Sequence, residues 1–282
     1  MSTTITTTLP APARATTGRP TQRHRLARHS ASLARRAITT LCRQPAFAAA
    51  TLIQPIIWLL LFGQLFRSVV HIPGFATTSG SYLEFITPGI IVMTALFSSG
   101  WAGTVAIDDM NRGVMDRLLA SPVRRGAMII GTLAYQVLTT VVQTMVVFGI
   151  AFLSGARFPG GISGVAVTLL SAAGISIVIA SLSNVVALLV RQQEALIGIS
   201  QFIVLPLQFL SSAIMDTRLS PPWVRHVARY NPVDWAVVAS RQALSAHTQW
   251  GAVWPRLGAL AALAIVMAML ATRAFRSYQR SL

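Results

Sequence analysis

Long apolar runs alternate with short polar segments along most of this chain. A membrane-crossing helix needs about 20 predominantly apolar residues, and six runs approach or exceed that length. The pattern therefore predicts an all-α polytopic membrane protein with six transmembrane helices. The expected spans lie at about residues 47–66, 85–107, 127–153, 162–190, 195–215 and 251–271.

Two polar parts precede the first span. Residues 1–21 are rich in Thr, Ala and Pro and contain no apolar core, so we expect a disordered tail and no signal peptide. Residues 22–45 interleave arginines with Leu26, Leu33 and Leu41, a spacing that keeps the leucines near one face of a helix. This pattern predicts an amphipathic helix in the membrane interface, which either only anchors the chain to anionic lipid or also docks a partner.

A short polar segment, residues 107–125, separates the second span from the third. It holds three of the seven acidic residues of the chain, together with four arginines. Ser121 and Pro122 would stop a helix just before the third span, because a residue that precedes proline avoids helical backbone angles. We expect a charged helix here, which is either a solvated loop or an element that a soluble partner grips.

A longer polar segment, residues 216–250, follows the fifth span. Pro221 opens a predicted short helix, which Asn231 and Pro232 end, and residues 233–244 form a second predicted helix. The tryptophans and the tyrosine of this part suit a membrane surface, where amphipathic aromatic rings concentrate. The segment is too polar to span a membrane, yet its helical pattern differs from that of a plain loop.

Several polar side chains fall inside the predicted spans. In the third span, Gln136, Thr139, Thr140 and Gln143 follow the i, i+3, i+4, i+7 pattern, so they share one helical face. Such a stripe either forms hydrogen bonds between helices or lines a transport path. The candidate path residues are Gln54, Gln136, Thr140, Gln143, Gln201 and Gln208.

Composition agrees with a membrane protein and restricts its chemistry. The chain has 282 residues, of which 54% are hydrophobic and 11% charged, and its mean hydropathy is +0.62. A soluble domain carries about a quarter charged residues. All 23 basic residues are arginine, so the chain has no lysine for a G-x-x-x-x-G-K-[ST] phosphate loop. It therefore lacks the usual means of hydrolysing ATP.

The net charge of +16 indicates an orientation. If both termini are cytoplasmic, 16 of the 23 arginines lie on the cytoplasmic side, as the positive-inside rule requires. We prefer this explanation of the basic excess to nucleic-acid binding, its other common cause. It places residues 107–125 inside, residues 216–250 outside, and residues 273–282 in a cytoplasmic tail.

The residue types that catalysis or metal binding needs are not suitably arranged. The five histidines form no ligand pair at helical spacing, and no serine lies in a G-x-S-x-G motif. Glu84, Asp108 and Glu194 lie at span ends and not at the midplane, whereas a proton-coupled carrier usually needs a buried titratable relay. We therefore expect no metal site, and energy supplied by a partner that binds ATP.

Two other classes of protein fit the sequence less well. A membrane-embedded transferase predicts a cluster of His, Asp and Glu at the membrane face, and Asp108 and Asp109 are the only acidic pair, without a histidine. A membrane scaffold that transports nothing would act without any ATPase.

Two motifs give the chain a resemblance to a known family. The first is Asn111-Arg112-Gly113-x-x-Asp116-Arg117-Leu118-Leu119-Ala120-Ser121-Pro122-Val123, and the second comprises Leu219-x-Pro221-x-Trp223-Val224, Tyr230-Asn231-Pro232-Val233 and Arg241-Gln242-Ala243-Leu244. With the six-span order, they resemble the ABC-2 type permeases of the daunorubicin-resistance class, the membrane subunits of bacterial ABC exporters. The resemblance covers most of the chain beyond about residue 30. Asp116 stands where the family more often has Glu.

The resemblance implies a role for each part of the chain. Residues 46–272 would form the ABC-2 transmembrane domain, with residues 22–45 as a connecting helix beside a cytoplasmic coupling helix, and with an external re-entrant helical segment between spans five and six. The implied ATPase-coupling residues are Asp108, Arg112, Gly113, Asp116, Arg117, Leu118, Leu119, Ser121 and Pro122. The connecting helix would use Arg28, Arg35 and Arg36, and the external segment Pro221, Trp223, Asn231 and Pro232.

The function that the resemblance implies is that of a permease subunit, not itself an enzyme, in an ATP-driven exporter. It would form a homodimer or heterodimer in the bacterial cytoplasmic membrane and bind two ABC ATPase subunits, which hold ATP and Mg. A hydrophobic or amphipathic drug or antibiotic is the expected cargo, as in multidrug efflux and antibiotic resistance. An endogenous lipid, glycolipid or polysaccharide is the alternative. No cofactor is expected in this chain.

Overall fold

The structure is a computed structural model that describes residues 45–66, 81–112, 126–214 and 220–278. The regular structure of these residues is helical, with no strand among them. In chain order the helices are α1 (Pro45–Leu65), α2 (Tyr82–Gly100), α3 (Gly103–Asn111), α4 (Gly126–Leu153), α5 (Gly161–Val190), α6 (Gln193–Phe209), α7 (Pro222–Ala228), α8 (Pro232–Leu244) and α9 (Trp250–Tyr278).

Four stretches of the described chain are long and apolar enough to cross a membrane. They are Tyr82–Asn111, which joins α2 to α3, Ile129–Leu153 in α4, Gly161–Val190 in α5 and Trp250–Phe275 in α9. The described residues are thus all-helical, and their four apolar stretches are consistent with the predicted polytopic membrane protein. The apolar part of α1, Leu52–Leu65, is shorter, and α6 has only 17 residues. The count of six spans thus stays a prediction.

Three helix boundaries differ from those expected. The second run breaks after Gly100, so that α3 begins at Gly103. Helix α6 ends at Phe209, six residues before the expected end of the fifth span, and residues 210–214 are not helical. Helix α9 continues to Tyr278, into the expected tail. At the first two points a side chain of another part of the chain binds the freed backbone, Ser183 at the break and Asn231 at the end of α6.

Helix α5 lies at the centre of the bundle. It contacts α2, α3, α4, α6, α8 and α9. Small side chains let these neighbours approach, because close backbone contact is the main means of helix association in a membrane. Ala172, Ser176 and Ala180 of α5 are fully buried. Gly164 contacts the carbonyl oxygen of Ala243 in α8, and a Cβ atom at Gly164 would lie 2.6 Å from that oxygen.

The polar segment after α6 folds as two helices, as expected. Helix α7 has Pro222 in its first turn, and α8 begins at Pro232, directly after Asn231. Proline suits the first helical turn, where its missing N–H would have no partner in the helix. Helix α8 is buried against α5, α9 and α2. Trp223 and Tyr230 of this segment are exposed.

Candidate functional site

Asn231 joins the end of α6 to the start of α8. Its Oδ1 accepts a hydrogen bond from the backbone N–H of Val233 at 2.9 Å, which caps the N-terminus of α8. Its Nδ2 donates to the carbonyl oxygens of Leu207 at 2.7 Å and Leu210 at 2.9 Å. The last carbonyls of a helix lack partners within the helix. This one buried side chain therefore satisfies groups at two helix ends.

Two side chains of α8 bind the backbone of Ser212, in the segment after α6: Asp234 from the first turn of α8 and Arg241 from its last turn. The Asp234 Oδ1 accepts from the Ser212 N–H at 2.8 Å, and the Arg241 Nη2 donates to the Ser212 carbonyl oxygen at 2.9 Å. The Arg241 Nε also donates to the carbonyl oxygen of Phe85 at 3.3 Å, and its guanidinium lies 3.7 Å from the centroid of the Phe85 ring. Helix α8 thus connects α6 to α2.

The pKa of Asp234 is raised, chiefly because burial disfavours the charged carboxylate. Hydrogen bonding to Ser212 and the positive charges of Arg241 and Arg256 act in the opposite direction. The side chain is 9% exposed.

The segment 210–214 lies directly on α2. A Cβ atom at Gly89 would be 2.0 Å from the Ala213 carbonyl oxygen, so glycine is required for this approach. The Tyr82 hydroxyl donates to the carbonyl oxygen of Ile214 at 3.1 Å. Non-helical backbone is tolerated in a membrane protein where other parts of the protein satisfy its polar groups, and side chains of α2 and α8 do so here.

At the opposite end of α2, the break before α3 is bridged by Ser183 of α5. The Ser183 hydroxyl accepts from the Gly103 N–H at 2.9 Å and donates to the Gly100 carbonyl oxygen at 2.7 Å. A Cβ atom at Gly103 would lie 2.5 Å from the Ser183 carbonyl oxygen and 2.9 Å from the Cβ of Ala187. The two helices are therefore in backbone contact at this point.

Helix α3 also contacts α6. The Nε2 of Gln193, at the start of α6, donates to the Oδ1 of Asp108. Arg112 follows the last turn of α3 and is exposed. Helix α3 is therefore hydrogen-bonded to both α5 and α6, and Arg112 is the residue that follows its C-terminal end.

The rest of the predicted coupling residues, and all of the predicted connecting residues, lie outside the described part of the chain. These are Gly113, Asp116, Arg117, Leu118, Leu119, Ser121 and Pro122, and Arg28, Arg35 and Arg36. Their assignment stays a prediction.

The predicted path residues differ in burial and in hydrogen bonding. Gln136 is 5% exposed, and its Nε2 donates to the hydroxyls of Ser98 and Ser99 in α2, both at 3.1 Å. Gln54 is exposed and Gln201 is half-buried. For Gln136, hydrogen bonding between helices is therefore the better interpretation.

Three other path residues have buried oxygens that lack a hydrogen-bond partner among the described residues. They are the Oγ1 of Thr140, the Oε1 of Gln143 and the Oε1 of Gln208. The Nε2 of Gln208 is directed at the sulfur of Met93, 3.9 Å away. Buried polar groups usually have partners, so these three residues are the better candidates for a polar surface that a bound molecule would complete.

The described residues contain no group of three or more His, Cys, Asp and Glu side chains placed to hold a metal ion.

Sequence patterns missed Ser183 and Asp234. Nothing in the sequence marks Ser183, because its partners Gly100 and Gly103 belong to a helix break about 80 residues away. Asp234 carries one signal, its position in the first turn after Asn231-Pro232, where acidic residues are favoured. Its partner Ser212 depends on the tertiary fold. Arg241 belonged to the external motif, although no role was predicted for it.

Comparison with known proteins gives a consistent result. Residues 29–245 match the family model described as ABC-2 type transporter. The chain is 28% identical over 225 residues to the daunorubicin resistance ABC transporter permease protein DrrB1 of Streptomyces coeruleorubidus, covering 80% of this chain and 78% of the relative. It is 27% identical over 221 residues to ycf38 of Porphyra purpurea, which is named as a transport permease, covering 78% and 74%. It is also 25% identical over 191 residues to DrrC of Mycobacterium tuberculosis, which is named as a doxorubicin resistance ABC transporter permease, covering 68% and 69%.

Proposed function

This chain belongs to the ABC-2 type transporter family, and we propose that it is the permease subunit of an ATP-driven exporter of a hydrophobic or amphipathic compound. The observation that carries the proposal is the family match over residues 29–245, which includes the charged segment after α3. The membrane-embedded permease has no lysine for a phosphate loop. We infer that a separate cytoplasmic ABC ATPase subunit binds ATP and Mg.

The contacts of α3 support a role in coupling. Ser183 fastens the start of α3 to α5, and Gln193 fastens Asp108 to the start of α6. A force applied to the segment beyond Arg112 would therefore reach two helices that lie inside the bundle. In our proposal the ATPase grips residues 108–122, with Leu118 and Leu119 in an apolar cleft and with the helix containing Arg28, Arg35 and Arg36 beside it.

The path for the cargo is proposed from the unsatisfied polar oxygens. Thr140, Gln143 and Gln208 would face the cargo, because hydroxyl and amide groups orient a ligand between apolar walls. Gln54 and Gln201 would join them only where a second permease subunit completes the path. The external segment, with Pro221, Trp223, Asn231 and Pro232, would close the exit at the outer leaflet.

The assembly we propose contains two permease subunits, identical or different, and two ATPase subunits. It lies in the bacterial cytoplasmic membrane with six spans and both termini in the cytoplasm, as the distribution of arginines favours. Two relatives are named for daunorubicin or doxorubicin resistance. We therefore favour a drug or antibiotic as the cargo over an endogenous lipid, glycolipid or polysaccharide.

The test begins with the ATPase. We expect an ABC ATPase gene beside the gene for this chain; the two are co-expressed, and the tagged permease is purified in detergent. We expect the ATPase to co-purify and its hydrolysis to rise when amphipathic drugs are added. A variant ATPase that lacks its phosphate-loop lysine is the matched control. A permease that purifies alone and acts without ATP would refute the proposal and favour a scaffold or a membrane-embedded transferase.

A further inference from the structure

A small cavity lies beside the α2–α3 break, among α3, α4, α5 and α9. Its volume is about 30 Å³, and its polar lining consists of Asp109, Thr132 and Asn184. On this measure a cavity of about 10–15 Å³ holds one water molecule, so the cavity accommodates one small head group. It is distinct from the polar residues proposed for the cargo path.

Asp109 and Asn184 offer hydrogen-bond acceptors to this cavity, whereas the Thr132 hydroxyl can donate or accept. Asp109 is the one ionisable residue in the lining, and a carboxylate accepts hydrogen bonds without donating any. Asn184 is 1% exposed, and its Nδ2 already donates to the Ala180 carbonyl oxygen at 2.7 Å. The amide oxygen of Asn184 is thus the group that can accept a hydrogen bond from a ligand in the cavity. A complementary ligand brings donors and a positive charge.

The remaining walls are apolar. Ile129, Leu188 and Phe275 contribute hydrocarbon and an aromatic ring. An aromatic face attracts a cation, and the aliphatic side chains suit the methylene groups next to it. A hard metal cation takes a nearly complete shell of oxygen ligands, which the apolar walls do not supply.

We propose that this cavity binds the protonated primary amine of an amphipathic molecule, with Asp109 as its counter-charge and Asn184 as an acceptor. The ligand is either a cationic cargo or the amine of a membrane lipid such as phosphatidylethanolamine. The first case rests on the proposed export function. In that case the cavity would select cationic amphipaths beside α3, the helix that receives the force of ATP hydrolysis.

Binding is tested on the purified full-length permease, without ATPase, in phosphatidylcholine nanodiscs. Hexylammonium, hexanol and hexyltrimethylammonium are compared by isothermal titration calorimetry. We expect hexylammonium to bind at least about tenfold more tightly than hexanol, because a charge-assisted hydrogen bond is lost in the alcohol. Hexyltrimethylammonium should also bind weakly, because its head exceeds the cavity and has no N–H donor. Equal affinity for all three probes would overturn the proposal.

Variants identify the residues. Asp109→Asn keeps the size of the side chain and should weaken hexylammonium binding about tenfold or more, whereas hexanol binding is unchanged. Phe275→Leu should lower the preference for hexylammonium over hexanol by a smaller factor. Glu194→Gln, at an exposed carboxylate on α6, is the matched control and should bind as the wild type does. Normal binding by a folded Asp109→Asn variant would contradict the assignment.

Two further comparisons distinguish a lipid ligand from a cargo ligand, and an amine site from a site for an inorganic cation. If the natural ligand is lipid, nanodiscs that include phosphatidylethanolamine will lower the apparent affinity for hexylammonium; if it is cargo, the affinity will not change. Competition by sodium or potassium as strong as that by hexylammonium would instead indicate an inorganic cation site and overturn the proposal. Because binding is measured on the permease alone, its failure leaves the export function intact, and loss of ATP-driven export with normal amine binding would refute export alone.

Discussion

Gly103→Ala should separate α3 from α5 and thereby weaken the connection to the ATPase. The new Cβ would lie 2.5 Å from the Ser183 carbonyl oxygen, which belongs to helical backbone and cannot rotate away. Overpacking of this kind costs about 1–3 kcal/mol. Alanine regains about 0.5–1 kcal/mol of helix propensity relative to glycine. We therefore expect a net loss between about 0 and about 2.5 kcal/mol, centred on about 1 kcal/mol.

Gly131→Ala in α4 is the matched control, because a Cβ atom there has no neighbour within 4 Å among the described residues, apart from the backbone of its own helix. The same substitution should leave stability unchanged or raise it by up to about 1 kcal/mol. The comparison removes the effect of helix propensity and leaves the contact with Ser183. Ser183→Ala provides a second test, because it removes two hydrogen bonds from buried backbone groups at a cost of about 1–3 kcal/mol.

Two assays report the effect. The midpoint of thermal unfolding of the purified permease should fall for Gly103→Ala and Ser183→Ala, and should hold or rise for Gly131→Ala. In the complex with the ATPase, the ratio of drug transported to ATP hydrolysed should fall for the first two variants alone. If Gly103→Ala has the same midpoint and coupling ratio as Gly131→Ala, the backbone contact between α3 and α5 is not what carries the force.

Three other predictions concern the coupling segment and the connection of α6 to α8. Leu118→Ala should lower drug-stimulated ATP hydrolysis several-fold while membrane insertion, measured by fractionation, persists; unchanged stimulation would count against the coupling assignment. Asn231→Ala should lower the unfolding midpoint by an amount corresponding to about 2–4 kcal/mol, because three backbone groups lose their partner, and a midpoint equal to that of the wild type would refute the capping role. Asp234→Ala should cost more than Asp234→Asn, which keeps an acceptor for the Ser212 N–H. Burial raises the pKa of Asp234 in the folded state. The stability that this side chain contributes is therefore fully present below the usual pKa of aspartate and is lost as pH rises through the raised pKa. An unfolding midpoint of Asp234→Asn that depends on pH as the wild-type midpoint does between these two pKa values would refute that cause.

Hydropathy predicted the bundle helices well because a membrane imposes a minimum length on each apolar run. Helices α4 and α5 fall close to the expected bounds. The break between α2 and α3 was not predicted, because Gly100 and Gly103 are equally consistent with close packing in an unbroken helix. The early end of α6 was missed for a similar reason: its capping group is the side chain of Asn231, about 20 residues further along the chain.

The candidate sites divide in the same way. Family motifs pointed to Asn231 and Arg241 without indicating what they bind, and the fold supplies their partners. The helical spacing of Gln136, Thr140 and Gln143 correctly placed all three on a buried face. Spacing could not show that the Gln136 amide is satisfied by Ser98 and Ser99 while the other two keep unsatisfied oxygens. Whether each of these side chains finds a hydrogen-bond partner depends on which helix packs against it, and the local sequence does not specify that neighbour.

The central claim is most directly tested by ATP-dependent transport in inside-out membrane vesicles that contain the permease and its ATPase. A fluorescent amphipathic drug is added outside the vesicles, on what was the cytoplasmic face, and its uptake is followed after ATP is added. The account predicts uptake that requires ATP, stops with the variant ATPase that lacks its phosphate-loop lysine, and falls in Gly103→Ala but not in Gly131→Ala. Uptake that is independent of ATP, or none for any amphipathic drug or lipid offered, would contradict it.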